Sequence, residues 1–139
     1  MKDNRFGHLK LRVLPKEYNY VLFSSDAAFW KATEHLRSLP KDELYFLFRC
    51  GDESSMVIPN KCKVEATKEE PDWKALQVVG EMPFGTVQGL IASISGVLQR
   101  GNVGICAVST YLTDVFFVKT KHLELATTAL KNEGWEFVL

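Results

Sequence analysis

The sequence predicts an α+β fold of two ferredoxin-like βαββαβ modules packed together, the first degenerate. Three observations carry this. Apolar residues make up 46% of the 139 and charged residues 24%, the profile of an ordinary globular chain. Residues 73–139 parse as strand, helix, strand, strand, helix, strand in turn. Residues 9–58 contain strand-like runs around one helix-like run and read as a degenerate copy, with no residue-level repeat.

Leu9–Leu14 alternates as a strand, and Tyr18–Phe23 follows Pro15 as another. Asp26–Leu36 reads as one helix, or as a short helix followed by a strand at His35–Leu39. Leu44–Phe48 is a strongly apolar strand and Ser55–Ile58 a short one. Lys61–Asp72, with Glu65, Lys68, Glu69, Glu70 and Pro71, is polar enough to be a connecting loop. The expected organisation is therefore a module over 1–62, a linker over 63–72 and a module over 73–139, with strand exchange between modules left open.

Trp73–Val79 is a strand closed by Gly80, and Met82-Pro83-Phe84-Gly85 is a loop by its Pro and Gly content. Thr86 is placed as a helix N-cap, since its hydroxyl accepts from a first-turn amide. Leu90, Ile91, Ile94, Val97 and Leu98 form one apolar stripe. Ala92, Ser93, Ser95 and Gly96 make a small-residue opposite face. Gly101 is placed to end this helix in a left-handed cap. Val103–Thr110 reads as a central strand, apolar on both faces, with Cys106 a small buried hydrophobe. Tyr111–Asp114 turns into a hairpin partner at Val115–Val118. Lys121–Glu133 is a second helix with Leu123, Ala126 and Leu130 inward, and Trp135–Leu139 a final strand. Trp30, Trp73 and Trp135 read as core or interface anchors.

Charge narrows the function. The 17 basic and 17 acidic groups cancel, which argues against a nucleic-acid binder and against a polybasic membrane anchor. The cancellation is uneven: Met82–Val118 holds only Arg100 and Asp114 as charged residues. A stretch so poor in charge is deep core or a surface that something covers. Cys50, Cys62 and Cys106 form no CxxC pair, and His8, His35 and His122 are scattered, so no metal site is legible. The N-terminus runs straight into polar sequence, and a reducing cytoplasm is the expected setting. No nucleophile elbow, phosphate loop or dinucleotide motif occurs. The expectation is no enzyme, no cofactor and no catalytic residue.

The charge-poor window does suggest a binding site. In a βαββαβ unit the loop after the first strand and the start of the first helix lie beside neighbouring strand ends. Gly80–Gly89 would then face Ser109, Thr110 and Tyr111. Free amides at a helix start favour a carboxylate, Gly85 permits close backbone approach, and Asp114 suits an ammonium or guanidinium. Each has a plainer reading: Thr86 as a cap, Gly85 and Gly89 as loop and packing residues, Ser109 and Thr110 as strand-end hydroxyls, Asp114 as a turn former, and Tyr111 as packing.

At these positions the chain resembles the ACT domains, most of all the regulatory ACT domains of aspartate kinases and small tandem-ACT proteins. The resemblance rests on Met82–Leu90, Leu98–Ile105 and Val108–Tyr111, supported by Trp73–Leu76, Asp114 and Val118-Lys119. It is weaker over 9–58, where Leu9–Pro15 and Pro40–Phe48 fit. It implies tandem ferredoxin-like modules that bind amino acids at module interfaces and often pair side by side. The family's ligand loop maps onto Met82–Leu90, adding Met82, Phe84, Val87 and Leu90 to the candidate residues, and its second-strand end maps onto Ser109–Tyr111. The usual Pro-Gly-Val is here Phe84-Gly85-Thr86-Val87. The implied function is a non-catalytic amino-acid sensor, a homodimer, acting on an enzyme or other protein; the alternative is an ACT-like oligomerisation or interaction module without a ligand.

Overall fold

Alternating and 3.6-residue apolar patterns become eleven elements in the computed structural model, which describes residues 1–84 and 88–139. In chain order they are β1 (Lys10–Val13), β2 (Tyr18–Phe23), α1 (Asp26–Leu36), β3 (Phe46–Cys50), β4 (Glu53–Pro59), β5 (Lys68–Val79), α2 (Leu90–Arg100), β6 (Cys106–Ser109), β7 (Asp114–Lys119), α3 (Leu123–Asn132) and β8 (Phe137–Val138). Short 3-10 turns at Asn4–Phe6 and Thr120–His122 complete the set. The chain divides into a central unit, Lys16–Trp73, and a terminal unit of Met1–Pro15 with Lys74–Leu139. This differs from the expected 1–62, 63–72 and 73–139. The first strand lies in the terminal unit, and the boundary falls within β5.

In the central unit β4 pairs antiparallel with β3 and with β2, and β2 pairs antiparallel with the first half of β5. Ser25 caps α1, its hydroxyl accepting from the Ala28 amide at 3.2 Å. The spacing of Phe29, Ala32 and Leu36 buries one helix face against Val21, Phe23, Met56 and Ile58. Asp26–Leu36 is thus a single helix, with no strand at His35–Leu39. This unit is degenerate because no second helix follows β4. Instead Cys62, Val64 and Ala66 alternate inward onto the same cluster, so an extended segment covers it.

Lys68–Asp72, expected as linker, is strand. The ladder shifts between Tyr18↔Trp73 and Tyr20↔Glu70, which takes up one extra residue on β5. Pro71 and Asp72 occupy that irregularity, Asp72 at φ 68°. A proline without an N–H and an aspartate in the left-handed region are both tolerated there. Trp73 packs edge-on against Tyr20 at 5.5 Å, whereas Trp30 is 58% exposed and anchors no core.

Glu43 gives the central unit a pH-sensitive brace. Its side chain is nearly buried, paired with Lys61 and 3.7 Å from Lys16. The Lys61 ammonium, then Lys16, holds this carboxyl below its ordinary range. Burial, and secondarily the Glu43 charge, pushes the nearby Tyr18 phenol up to about 12, so it stays neutral. With the folded value of Glu43 below the unfolded one (about 4.3), its contribution is full above that pH and is lost as pH falls through the folded value. Glu43→Gln should therefore lower Tm by about 2–4 °C at pH 7, with the gap closing in strong acid. Melting curves of both proteins from pH 7 to pH 3 check it; a gap that widens in acid contradicts it.

The terminal unit carries the full βαββαβ path: second half of β5, α2, β6, β7, α3, β8. β1 is inserted into its sheet, antiparallel to β5 (Lys10↔Val79 to Val13↔Leu76) and parallel to β8 (Leu11↔Phe137). β7 pairs with β5 and, antiparallel, with β6. The central strand is β7, whose Val115–Val118 are all fully buried, and not the 103–110 segment. Among the described residues β6 pairs only with β7, so Cys106 is half-buried rather than core. Helices α2 and α3 cover Leu76, Val78, Phe116 and Val118 with Ile94, Leu98, Ala126 and Leu130; Trp135 closes the cluster.

Two details of α2 depart from expectation. Ile91 is 41% exposed, so the buried stripe is Leu90, Ile94, Val97 and Leu98. The left-handed residue past its end is Asn102 (φ 61°), while Gly101 sits at φ −81°. The Asn102 and Val103 amides donate to the Gln99 and Leu98 carbonyls, the two bonds of a Schellman ending. Gly101 instead serves close approach: a Cβ there would lie 3.2 Å from that of Ala129 on α3.

Candidate functional site

The site begins where β5 ends. Gly80 has φ 129°, and a Cβ would fall 2.8 Å from Leu9 Cδ2 and 3.1 Å from the His8 carbonyl, so only glycine makes this exit. His8 Nε2 holds the next carbonyl, that of Glu81, at 3.0 Å. The chain then passes through Met82, Pro83 and Phe84. Gly85, Thr86 and Val87, three of the expected ligand residues, lie outside the described residues.

Helix α2 starts at Leu90, three residues later than a Thr86 cap requires. Its N-cap is Gly89, at φ 80°, which offers no side-chain oxygen. The Ser93 amide makes the bond to the Gly89 carbonyl at 2.8 Å. The amides of Leu90, Ile91 and Ala92 therefore precede the first helical bond and form the positive end of the helix.

Opposite stand the end of β6 and the start of β7. Ser109 and Asp114 are cross-strand partners, and the Ser109 hydroxyl donates to Asp114 Oδ1 at 2.6 Å. This fixes the carboxylate; among the described residues its second oxygen takes no hydrogen bond. Thr110 organises the turn: its hydroxyl accepts from the Thr113 amide at 3.0 Å and donates to the Thr113 carbonyl at 3.1 Å. The Thr113 hydroxyl donates to the Val78 carbonyl at 2.6 Å, tying this turn to the end of β5. Phe84 and Tyr111 stack across the opening, centroids 5.0 Å apart and planes 17° apart.

These elements enclose a cleft of about 490 Å³, within the roughly 300–1,000 Å³ range of small-molecule sites. Met82, Phe84, Gly89, Leu90, Ser109, Thr110, Tyr111 and Asp114, all candidate residues from the sequence, line it together. Pro83, Ile91, Ala92, Leu112 and Thr113 also line it and were missed. Ile91 was hidden by its place beside Leu90 on the apparent stripe, and Leu112 and Thr113 by reading as a plain turn. Among the described lining residues, Asp114 is the sole charged side chain.

Among the described residues no three His, Cys, Asp or Glu side chains gather to hold a metal ion. No helix there is long and apolar enough to cross a membrane.

Residues 68–132 match the model of the ACT domain family. The fold is similar to the crystal structure of protein Atu0741 from Agrobacterium tumefaciens (TM-score 0.74, 24% identity, 95% of this chain and 93% of that one). It is also similar to the ligand-free regulatory subunit of aspartate kinase from Thermus thermophilus (TM-score 0.63, 8% identity, 88% of this chain and 94% of that one). The Clostridium acetobutylicum aspartate kinase, described as an allosteric enzyme, is matched at TM-score 0.63 and 16% identity over 89% of this chain and 33% of that one. No curated protein matches the sequence.

Proposed function

Residues 68–132 form an ACT domain, and from that premise we propose that this protein is a regulatory module that binds an amino acid, without catalysis of its own. One observation carries the reading: the cleft sets the first-turn amides of α2, which precede its first helical bond, against the Asp114 carboxylate across apolar walls. That pair complements the two charges of a zwitterion. The amides take the α-carboxylate, a preference of about 0.3–1 kcal/mol and up to about 2 when partly buried. Asp114, with one oxygen engaged by Ser109, takes the ammonium. Affinity should lie between millimolar and micromolar, about 4–8 kcal/mol. Gly85, Thr86 and Val87 are proposed ligand contacts on the family resemblance alone.

Binding regulates only if two states of the protein differ in affinity. A side-by-side homodimer supplies two such states, and the single pairing of β6 among the described residues leaves an edge on which a second copy can add. The regulated enzyme or other protein would read that interface. Titration calorimetry of the full chain against the twenty amino acids tests the reading. Saturable heat from at least one supports it; silence from all, with folded protein, ends it.

A second reading, an interaction module without ligand, is favoured by the exposure of Phe84, Tyr111 and Leu112 at the cleft mouth. It predicts an oligomeric state indifferent to every amino acid.

A further inference from the structure

We propose that the cleft selects amino acids with an aromatic side chain. This deepens the amino-acid reading and rests on it.

Charged side chains find no partner. Asp114 is the one charged group among the described lining residues, and the ligand ammonium uses it. A side-chain carboxylate would meet that like charge, and a lysine-type ammonium would compete for the same oxygen. Small polar side chains fare little better. The Ser109, Thr110 and Thr113 hydroxyls already donate to Asp114, the Thr113 carbonyl and the Val78 carbonyl. These hydroxyls can still accept but have no proton left to give, so the acceptor oxygen of a ligand hydroxyl or amide would lose its water hydrogen bonds unreplaced.

What remains open is aromatic surface. Phe84 and Tyr111 stack on each other, yet are 70% and 73% exposed. Each ring thus keeps an outer face free at the cleft mouth. Two nearly parallel rings with open faces accept a third in offset stacking, which adds to simple apolar burial. Leu112 and the exposed side of Ile91 extend the apolar wall. An aliphatic ligand gains the burial and not the stacking. That difference should amount to about 2- to 10-fold in affinity.

Calorimetry of the full chain with L-phenylalanine, L-tryptophan, L-leucine, L-lysine and L-aspartate tests this, alongside the Tyr111→Ala variant. The exposed position of Tyr111 predicts an unchanged melting temperature for the variant. The expected result is phenylalanine and tryptophan binding about 2- to 10-fold tighter than leucine, with lysine and aspartate weaker still. Tyr111→Ala should erase most of the aromatic advantage while weakening leucine less. Leucine, lysine or aspartate binding as tightly as phenylalanine, or an aromatic preference untouched in Tyr111→Ala, overturns the selectivity and leaves the amino-acid reading standing. Silence from all twenty amino acids overturns both.

Discussion

Replacing Asp114 with alanine should weaken amino-acid binding about 10- to 100-fold, the loss of one charge-assisted hydrogen bond. The side chain is partly buried at the start of β7, and its one side-chain hydrogen-bond partner among the described residues is the Ser109 hydroxyl. Its removal frees that hydroxyl to water, so the melting temperature should stay within a few degrees of the parent. This combination separates a ligand contact from a turn residue. Asp114→Asn sharpens the test: it keeps the shape and the Ser109 bond but lacks the charge, and should bind nearly as poorly as the alanine variant. Calorimetry and melting curves on both proteins decide it. Unchanged affinity in Asp114→Ala removes Asp114 from the site.

The largest stability effect is expected at Phe116. This side chain is fully buried on β7 among Ile94, Leu98 and Val118, beneath the two helices of the terminal unit. Phe116→Ala removes most of a ring from close-packed surroundings and should cost about 3–5 kcal/mol. Against a total of about 5–15 kcal/mol for a domain, this lowers Tm by roughly 10–20 °C. Phe116 lies two residues beyond Asp114 on the strand that lines the cleft, so ligand binding should weaken as the unit loosens. Trp30→Ala, which also removes an aromatic ring, should change stability far less because Trp30 is mostly exposed. Equal losses at the two positions would contradict the account of where the core lies.

The terminal unit was the legible half because its signals are local. Leu90, Ile94, Val97 and Leu98 keep helical spacing, and Leu123, Ala126 and Leu130 do the same on α3, so both helices can be read from periodicity. The first half of β5 was not legible. Lys68-Glu69-Glu70-Pro71 has the composition of a loop, and only its ladder with β2 makes it a strand. The transposition of central and edge strands has the same origin. Val103 and Ile105 are apolar because they pack against the helical cluster before β6 begins, while β7 is buried through pairing on both sides. The insertion of β1 between β5 and β8 joins residues far apart in sequence, and no pattern within β1 announces it.

The same distinction runs through the site. The Pro-containing segment before α2, the helix itself and the Ser-Thr strand end are each visible along the chain, and eight of the candidate residues meet in one cleft. The stack of Phe84 on Tyr111 and the bond from Thr113 to the Val78 carbonyl depend on tertiary approach, so no local signal marks them. The displacement of the cap from Thr86 to Gly89 follows from backbone geometry: a glycine at φ 80° starts α2 and supplies no capping side-chain oxygen.

The central claim is that an amino acid occupies the cleft between the start of α2 and the β6–β7 turn. Backbone amide chemical shifts, followed during titration with whichever amino acid binds most tightly, test it most directly. The account predicts saturable shifts concentrated at Gly89–Ala92 and Ser109–Asp114. Saturable shifts along α1, with Gly89–Ala92 and Ser109–Asp114 unmoved, would contradict it.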